Sequence, residues 1–235
     1  MSTYLLVPGA GGSAWFWHRV TPLLEQCGHT VIAPEIDMTD ERLGLADYTD
    51  AIVAAGAGAR DVVLVAQSMG GFYAPPACAR LDVTLLVLLC PMIPAPGETP
   101  GGWWRSSGQL AAMRAAERRA GRDPDAPFDE VEMFFHDVPE DVTQAALAGG
   151  DRAPADRPFG EPWQLDAWPD VPTAVIAGAH DRLLPLDLVQ RLARERLGVE
   201  PHVVQAGHCA ALAKPAQVVV RLEAARTATQ APVPG

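Results

Sequence analysis

Residues 61–73 read DVVLVAQSMGGFY, and the break inside this stretch decides the fold. Val62, Val63, Leu64, Val65 and Ala66 form a continuous apolar run, which predicts a strand covered on both faces rather than one alternating between core and solvent. The run ends on Gln67 and Ser68, followed by Met69, Gly70 and Gly71. A strand that only filled a core has no reason to end on a polar pair and two glycines. Ala66 and Gly70 stand two residues to either side of Ser68. Small residues are what a tight strand-to-helix turn needs there, because the turn brings its flanks together and lifts the central side chain clear of the strand. Ser68 is therefore a candidate nucleophile. An ordinary loop with Ser68 as helix N-cap is the competing reading, and the rest of the chain decides between them.

Working outward, similar apolar runs recur at residues 4–7, 30–33, 85–89, 173–177 and 202–204, most of them separated by alanine-rich, helix-like segments. This rhythm predicts a doubly wound, mostly parallel α/β sheet of six strands, with functional side chains beyond the carboxyl ends of the strands. Between Pro91 and Pro169 the pattern changes. Proline and glycine cluster in PMIPAPGETPGG, residues 91–102, and helical segments follow at 109–120, 129–135 and 140–147 without a convincing strand. The expected organisation is a core of residues 1–91 and 169–235 with a cap inserted at 92–168. Pro75 and Pro76 fall early in the helix after Ser68, where proline removes amide donors, so that helix is expected to kink. The closing TATQAPVPG, residues 227–235, lacks apolar periodicity and reads as a frayed tail.

Acyl transfer by a serine needs a base to take the hydroxyl proton and a carboxylate to fix the tautomer of that base. After TAVIAGA come His180 and Asp181, and after PHVVQA come Gly207 and His208. Ser68, Asp181 and His208 thus each follow a predicted strand, which favours the nucleophile reading over the N-cap. Asp37, after the second strand, is an alternative acid that strand order places badly. His180 stands where the acid belongs, and His18 reads as structural. After the first strand, VPGAGGSAWFW puts small residues where backbone can approach a reacting oxygen, and the amides of Ala10 and Met69 are the candidate oxyanion-hole donors. A phosphate cradle is the rival use of such a loop, but GAGG has neither the GxGxxG spacing nor a Walker lysine.

Composition removes other classes. A net charge of −11 and a pI near 4.9, with no basic run, argue against nucleic acid as a partner. No window approaches a membrane span, and the opening MSTYLLVPGAGG has no basic n-region, so it reads as a strand rather than a signal peptide. Cys27, Cys78, Cys90 and Cys209 show no metal spacing and sit among apolar residues, as buried free thiols of a cytoplasmic protein would. No metal or cofactor is implied, and the expected state is a monomer or homodimer.

LVPGAG, AQSMGG, LCPMIPAPGE, GAHDRLLP and AGHCAAL together resemble the α/β-hydrolase superfamily over essentially the whole chain. More narrowly, the chain is similar to the compact esterase and hydroxynitrile lyase group that includes plant methyl-salicylate esterases and bacterial relatives. The family commonly has His-Gly where this chain has Pro8-Gly9, and Gly-His-Ser where it has Ala66-Gln67-Ser68. The resemblance implies either ester hydrolysis or cyanohydrin cleavage. Lyases of the group carry threonine in the first loop and lysine after the catalytic histidine, where this chain has Gly9 and Cys209, so ester hydrolysis leads. An acyl thioesterase, a hydroxynitrile lyase and a non-catalytic binding protein are the alternatives. Gly9, Trp103, Trp104, Phe134, Phe135 and Trp163 are expected to line a pocket for a small, largely apolar ester or thioester. Trp15 and Trp17 either line it or pack on the sheet.

Overall fold

A computed structural model describes residues 1–149 and 153–230 of the chain. At its centre is an all-parallel sheet of β1 (Thr3–Val7), β2 (Thr30–Ile32), β3 (Val62–Gln67), β4 (Val83–Leu89), β5 (Thr173–Gly178) and β6 (His202–Val204), in the spatial order β2-β1-β3-β4-β5-β6. The chain adds β2 on one side of β1 and every later strand on the other, so the winding reverses beside β1 and β3. An open α/β sheet forms its crevice at such a reversal. The register pairs Val7 with Ala66 and Gln67 with Leu89, which brings the carboxyl ends of β1, β3 and β4 level under that crevice.

Both faces of the sheet are covered. Around the strands stand α1 (Thr21–Gln26), α2 (Leu45–Ala55), α3 (Gly70–Tyr73), α4 (Pro100–Ser106), α5 (Gln109–Arg119), α6 (Glu140–Ala148), α7 (Arg157–Gly160), α8 (Leu186–Leu197), α9 (Ala210–Ala213) and α10 (Pro215–Gln230). Along β3, Val62, Leu64 and Ala66 face a core shared with α2, α3 and α8, while Val63 and Val65 face a second core built with α1, α9 and α10. This two-sided burial is why the strands read as continuous rather than alternating apolar runs. Helices α4 to α7 all fall between β4 and β5, a stretch that contributes no strand among the described residues.

The departures from expectation have local causes. The helix after Ser68 is broken rather than bent. Ala74 N–H still reaches Gly70 O at 2.9 Å, but Pro75 and Pro76 have no N–H to continue, and the chain tightens into a 3₁₀ turn over Pro75–Ala79. The predicted helix at 129–135 is a single π-type turn, Val131–Phe135. The expected tail begins too early: α10 continues through Gln230, supported by the Thr227 hydroxyl on Glu223 O at 2.7 Å and the Thr229 hydroxyl on Ala225 O at 3.0 Å. Residues 231–235 lie outside the described residues. Cys78, Cys90 and Cys209 are buried, whereas Cys27, at the end of α1, is exposed. No helix among the described residues is long and apolar enough to cross a membrane.

Candidate active site

Ser68 sits at the tip of the turn from β3 into α3, with φ of +52°, a left-handed conformation that non-glycine residues rarely hold. Its backbone is tied on both sides: Ser68 N–H donates to Leu89 O at 3.1 Å, and Ser68 O accepts from Gly71 N–H at 3.1 Å and Met92 N–H at 3.0 Å. The flanks are as close as the sequence demands. A Cβ added at Gly70 would lie 3.3 Å from both Ala66 Cβ and Pro8 O, and one at Gly71 would fall 1.9 Å from Met92 O. Strain of this kind persists only where surrounding contacts over-determine it.

The loops after β5 and β6 bring the other two candidates to Ser68. Strand pairing continues past both strands through Ala179 N–H on Val204 O at 2.8 Å and His180 N–H on Ala206 O at 3.0 Å. His208 Nε2 lies 3.0 Å from Ser68 Oγ, and His208 Nδ1 lies 2.8 Å from Asp181 Oδ2. An ionised carboxylate only accepts, so Nδ1 carries the proton and Nε2 turns a lone pair to the serine hydroxyl. Both side chains are almost wholly buried, at 2% and 0% exposure, which keeps water from competing for these bonds. The peptide before the imidazole is also held: Gly207 N–H donates to Asp137 Oδ2 at 2.7 Å, and the Cys90 thiol lies 3.8 Å from Gly207 O. Burial pushes the Cys90 and Cys209 thiols well above their ordinary range, with the Asp181 carboxylate adding to the effect, so both stay protonated beside the site.

The loop after β1 closes the other side. A Cβ at Gly9 would fall 2.8 Å from Ser68 Cβ and 2.2 Å from Gln67 Oε1, so only glycine allows this approach. Tyr73 fixes the loop by donating its hydroxyl to Pro8 O, and Gly12 N–H closes it on Gly9 O at 3.0 Å. Ala10 and Met69 both border the space in front of Ser68. That space is a cavity of about 840 Å³, lined mainly by apolar side chains that include Trp104, Phe134 and Phe135. Phe134 presents itself edgewise to the His208 ring at 5.3 Å. Among the described residues Glu130 is the one acidic side chain in the lining, and none there is lysine or arginine. Among the described residues no three His, Cys, Asp or Glu side chains gather where they could hold a metal ion. The arrangement can therefore deliver a serine oxygen, freed of its proton by an adjacent imidazole, to a carbonyl in a largely apolar enclosure.

Residues 4–222 match the model described as the Alpha/beta hydrolase family. The chain belongs to this family. Among curated proteins, this α/β-hydrolase is similar to the probable esterase PIR7A of Oryza sativa subsp. indica, 34% identical over 113 residues that span 42% of each chain. It thus spans less than half the length of the curated relatives it matches. Among solved structures it is similar to methylesterase MES16 from Arabidopsis, at TM-score 0.74 and 19% identity over 97% of this chain and 99% of that one. It is also similar to polyneuridine aldehyde esterase, at TM-score 0.75 and 18% identity over 95% and 98%.

Not every expected pocket residue of this α/β-hydrolase reaches the cavity. Trp104, Phe134 and Phe135 line it, but Trp103, Trp163 and Gly9 do not. Trp103 turns into the core, fully buried, with its indole N–H on Ile93 O at 3.0 Å. Trp163 packs on Trp168 at 4.8 Å. Gly9 packs closely against Gln67 and Ser68. Trp15 lines the cavity and Trp17 is fully buried in the core under α9 and α10, so the two take the two roles open to them. His18 stacks on Trp15, Asp37 accepts from Thr39, and His180 borders a separate recess with Asp181 and Arg182; none of the three bonds to Ser68 or His208. Sequence reading missed Gln67, Gln109, Phe128 and Phe159 as lining residues. For Gln67 a signal was present, since a polar residue ending a buried strand needs a partner or a cavity.

Proposed function

We propose that this protein is a carboxylesterase-type serine hydrolase that cleaves a carboxylic ester of a small, largely apolar substrate through an acyl-enzyme. Ser68 Oγ attacks the ester carbonyl as His208 Nε2 takes its proton, and Asp181 holds the resulting imidazolium. The amides of Ala10 and Met69 receive the negative oxygen of the tetrahedral adduct. Collapse expels the alkoxide, which leaves as alcohol with the proton from His208. Water, deprotonated by the same imidazole, then attacks the acyl-Ser68 carbonyl and releases the acid.

The observation that carries this reading is the continuous hydrogen-bonded chain from Ser68 Oγ through His208 to Asp181 at one wall of an apolar cavity. The esterase names of the similar proteins agree with it. Residues 92–168, which supply Trp104, Phe134 and Phe135, act in this reading as the cap that sets specificity. The three buried thiols fit a reducing, cytoplasmic setting. Gly9 and Cys209 stand where the lyases of the resembled group carry threonine and lysine. The test is turnover of p-nitrophenyl esters, acyl thioesters and cyanohydrins side by side. Ester turnover should dominate, and cyanide release faster than ester cleavage would overturn the assignment.

A further inference from the structure

Gln67 is 4% exposed, borders the cavity, and makes no side-chain hydrogen bond among the described residues. Gln109, the other buried glutamine on the cavity wall, behaves differently: its amide donates to Leu183 O at 2.6 Å. Buried carboxamides are almost always partnered, so one without a protein partner at a cavity wall is a candidate for bonding what enters the cavity. Its place is specific. The position a Cβ would take on Gly9 is 2.2 Å from Gln67 Oε1 and 2.8 Å from Ser68 Cβ, so the carboxamide shares a corner with the nucleophile and the Gly9–Ala10 loop.

We propose that Gln67 is a specificity-determining residue that hydrogen-bonds a hydroxyl or oxo group on the carbon next to the scissile carbonyl. The inference rests on the esterase reading for where that carbonyl lies. With the carbonyl carbon at Ser68 Oγ and its oxygen toward Ala10 and Met69, the carbon beside it is one bond away from the group held at that corner, which brings a substituent on it within reach of the Gln67 carboxamide. A carboxamide offers N–H to an oxo or hydroxyl oxygen and its own oxygen to a hydroxyl hydrogen. The preferred substrates are thus esters with an apolar body and an oxygen substituent at this one carbon.

The test is binding in Ser68→Ala protein, which leaves esters uncleaved, followed by quenching of the cavity tryptophans. Ethyl mandelate and ethyl phenylacetate differ only in the hydroxyl, and ethyl phenylglyoxylate carries an oxo group there. The hydroxy and oxo esters should bind roughly fivefold tighter than the unsubstituted one, a typical value for one net hydrogen bond. Adding Gln67→Met should bring all three within twofold. Gln67→Glu, which keeps an acceptor but loses the donor, should retain the preference for the hydroxy ester and lose it for the oxo ester. Equal binding of the three esters by Ser68→Ala protein, no binding of any, or a preference that survives Gln67→Met would overturn the inference. Failure of the esterase reading shows separately, as wild-type protein that binds these esters and does not hydrolyse them.

Discussion

Asp181 divides its carboxylate between its own loop and His208: Oδ1 accepts the N–H groups of Leu183 and Leu184 at 2.9 and 2.8 Å, and Oδ2 faces His208 Nδ1 at 2.8 Å. In Asp181→Asn the amide oxygen can keep the two loop bonds, which turns the amide N–H₂ toward the imidazole. That forces the proton onto Nε2, the nitrogen facing Ser68. Turnover should fall by about four orders of magnitude while the melting temperature changes little. Steady-state kinetics and a thermal melt on the same sample check this. Undiminished turnover would move the acid elsewhere, with Asp37 the next position to test.

The cavity wall predicts a chain-length preference. For neutral p-nitrophenyl esters, kcat/KM should rise by about fourfold per added methylene, from about 0.8 kcal/mol per buried CH₂, and then level off as the cavity fills. Trp104→Ala and Phe135→Ala should flatten the rise. Trp103→Ala should instead destabilise the fold by about 3–5 kcal/mol, because that ring is core. Anionic acyl groups should be poorer substrates than neutral ones of the same shape, since among the described residues the lining offers Glu130 and no basic side chain.

The strands and their ends were legible because two-sided burial writes itself as unbroken apolar runs. A polar residue closing such a run, as Ser68 does, or following it within a few residues, as Asp181 and His208 do, then stands out. The cavity wall was less legible. Trp103 and Trp104 are neighbours on α4, about 100° apart around the helix, and composition does not say which faces the sheet. That depends on how α4 rests on the core, which places Trp103 inward and Trp104 on the cavity. Phe159, on the short α7, depends in the same way on how α7 packs against α4: a Cβ at Gly101 would fall 2.9 Å from Phe159 O. Phe128, at the rim and largely exposed, meets Phe134 edgewise, a contact without sequence periodicity.

Glu223 on α10 joins that helix to the sheet, accepting from the Tyr4 hydroxyl and facing His29 Nε2 at 3.2 Å and Arg226 Nη2 at 2.9 Å. Burial alone would raise its carboxyl, but hydrogen bonds from Arg226, Tyr4 and His29 outweigh it and hold the group at about 2, against 4.5 ordinarily. A carboxyl depressed on folding adds stability above its unfolded value and loses it as pH falls through the folded one. Wild type should therefore melt above Glu223→Gln at pH 7, and the gap should close between about pH 4.5 and 2. Melting curves of both proteins across that range provide the check.

Thiol reactivity should separate Cys27 from the rest. Burial pushes the Cys78 thiol up to about 12 and raises Cys90 and Cys209 further, while Cys27 is exposed. Native protein should react with a disulfide reagent at one thiol and unfolded protein at all four. Cys27→Ser should abolish the native reaction. Reaction of Cys90 or Cys209 in folded protein would show that the packing beside His208 opens.

The account turns on Ser68 as nucleophile, and the most direct measurement is intact-protein mass after treatment with an alkyl fluorophosphonate. One phosphonyl adduct should form per chain, map to Ser68, and abolish ester turnover in proportion to labelling. Ser68→Ala protein should neither be labelled nor turn over esters above a residual level several orders of magnitude below wild type. Folded wild-type protein that stays unlabelled, or a Ser68→Ala variant with near wild-type turnover, would contradict the acyl-enzyme mechanism.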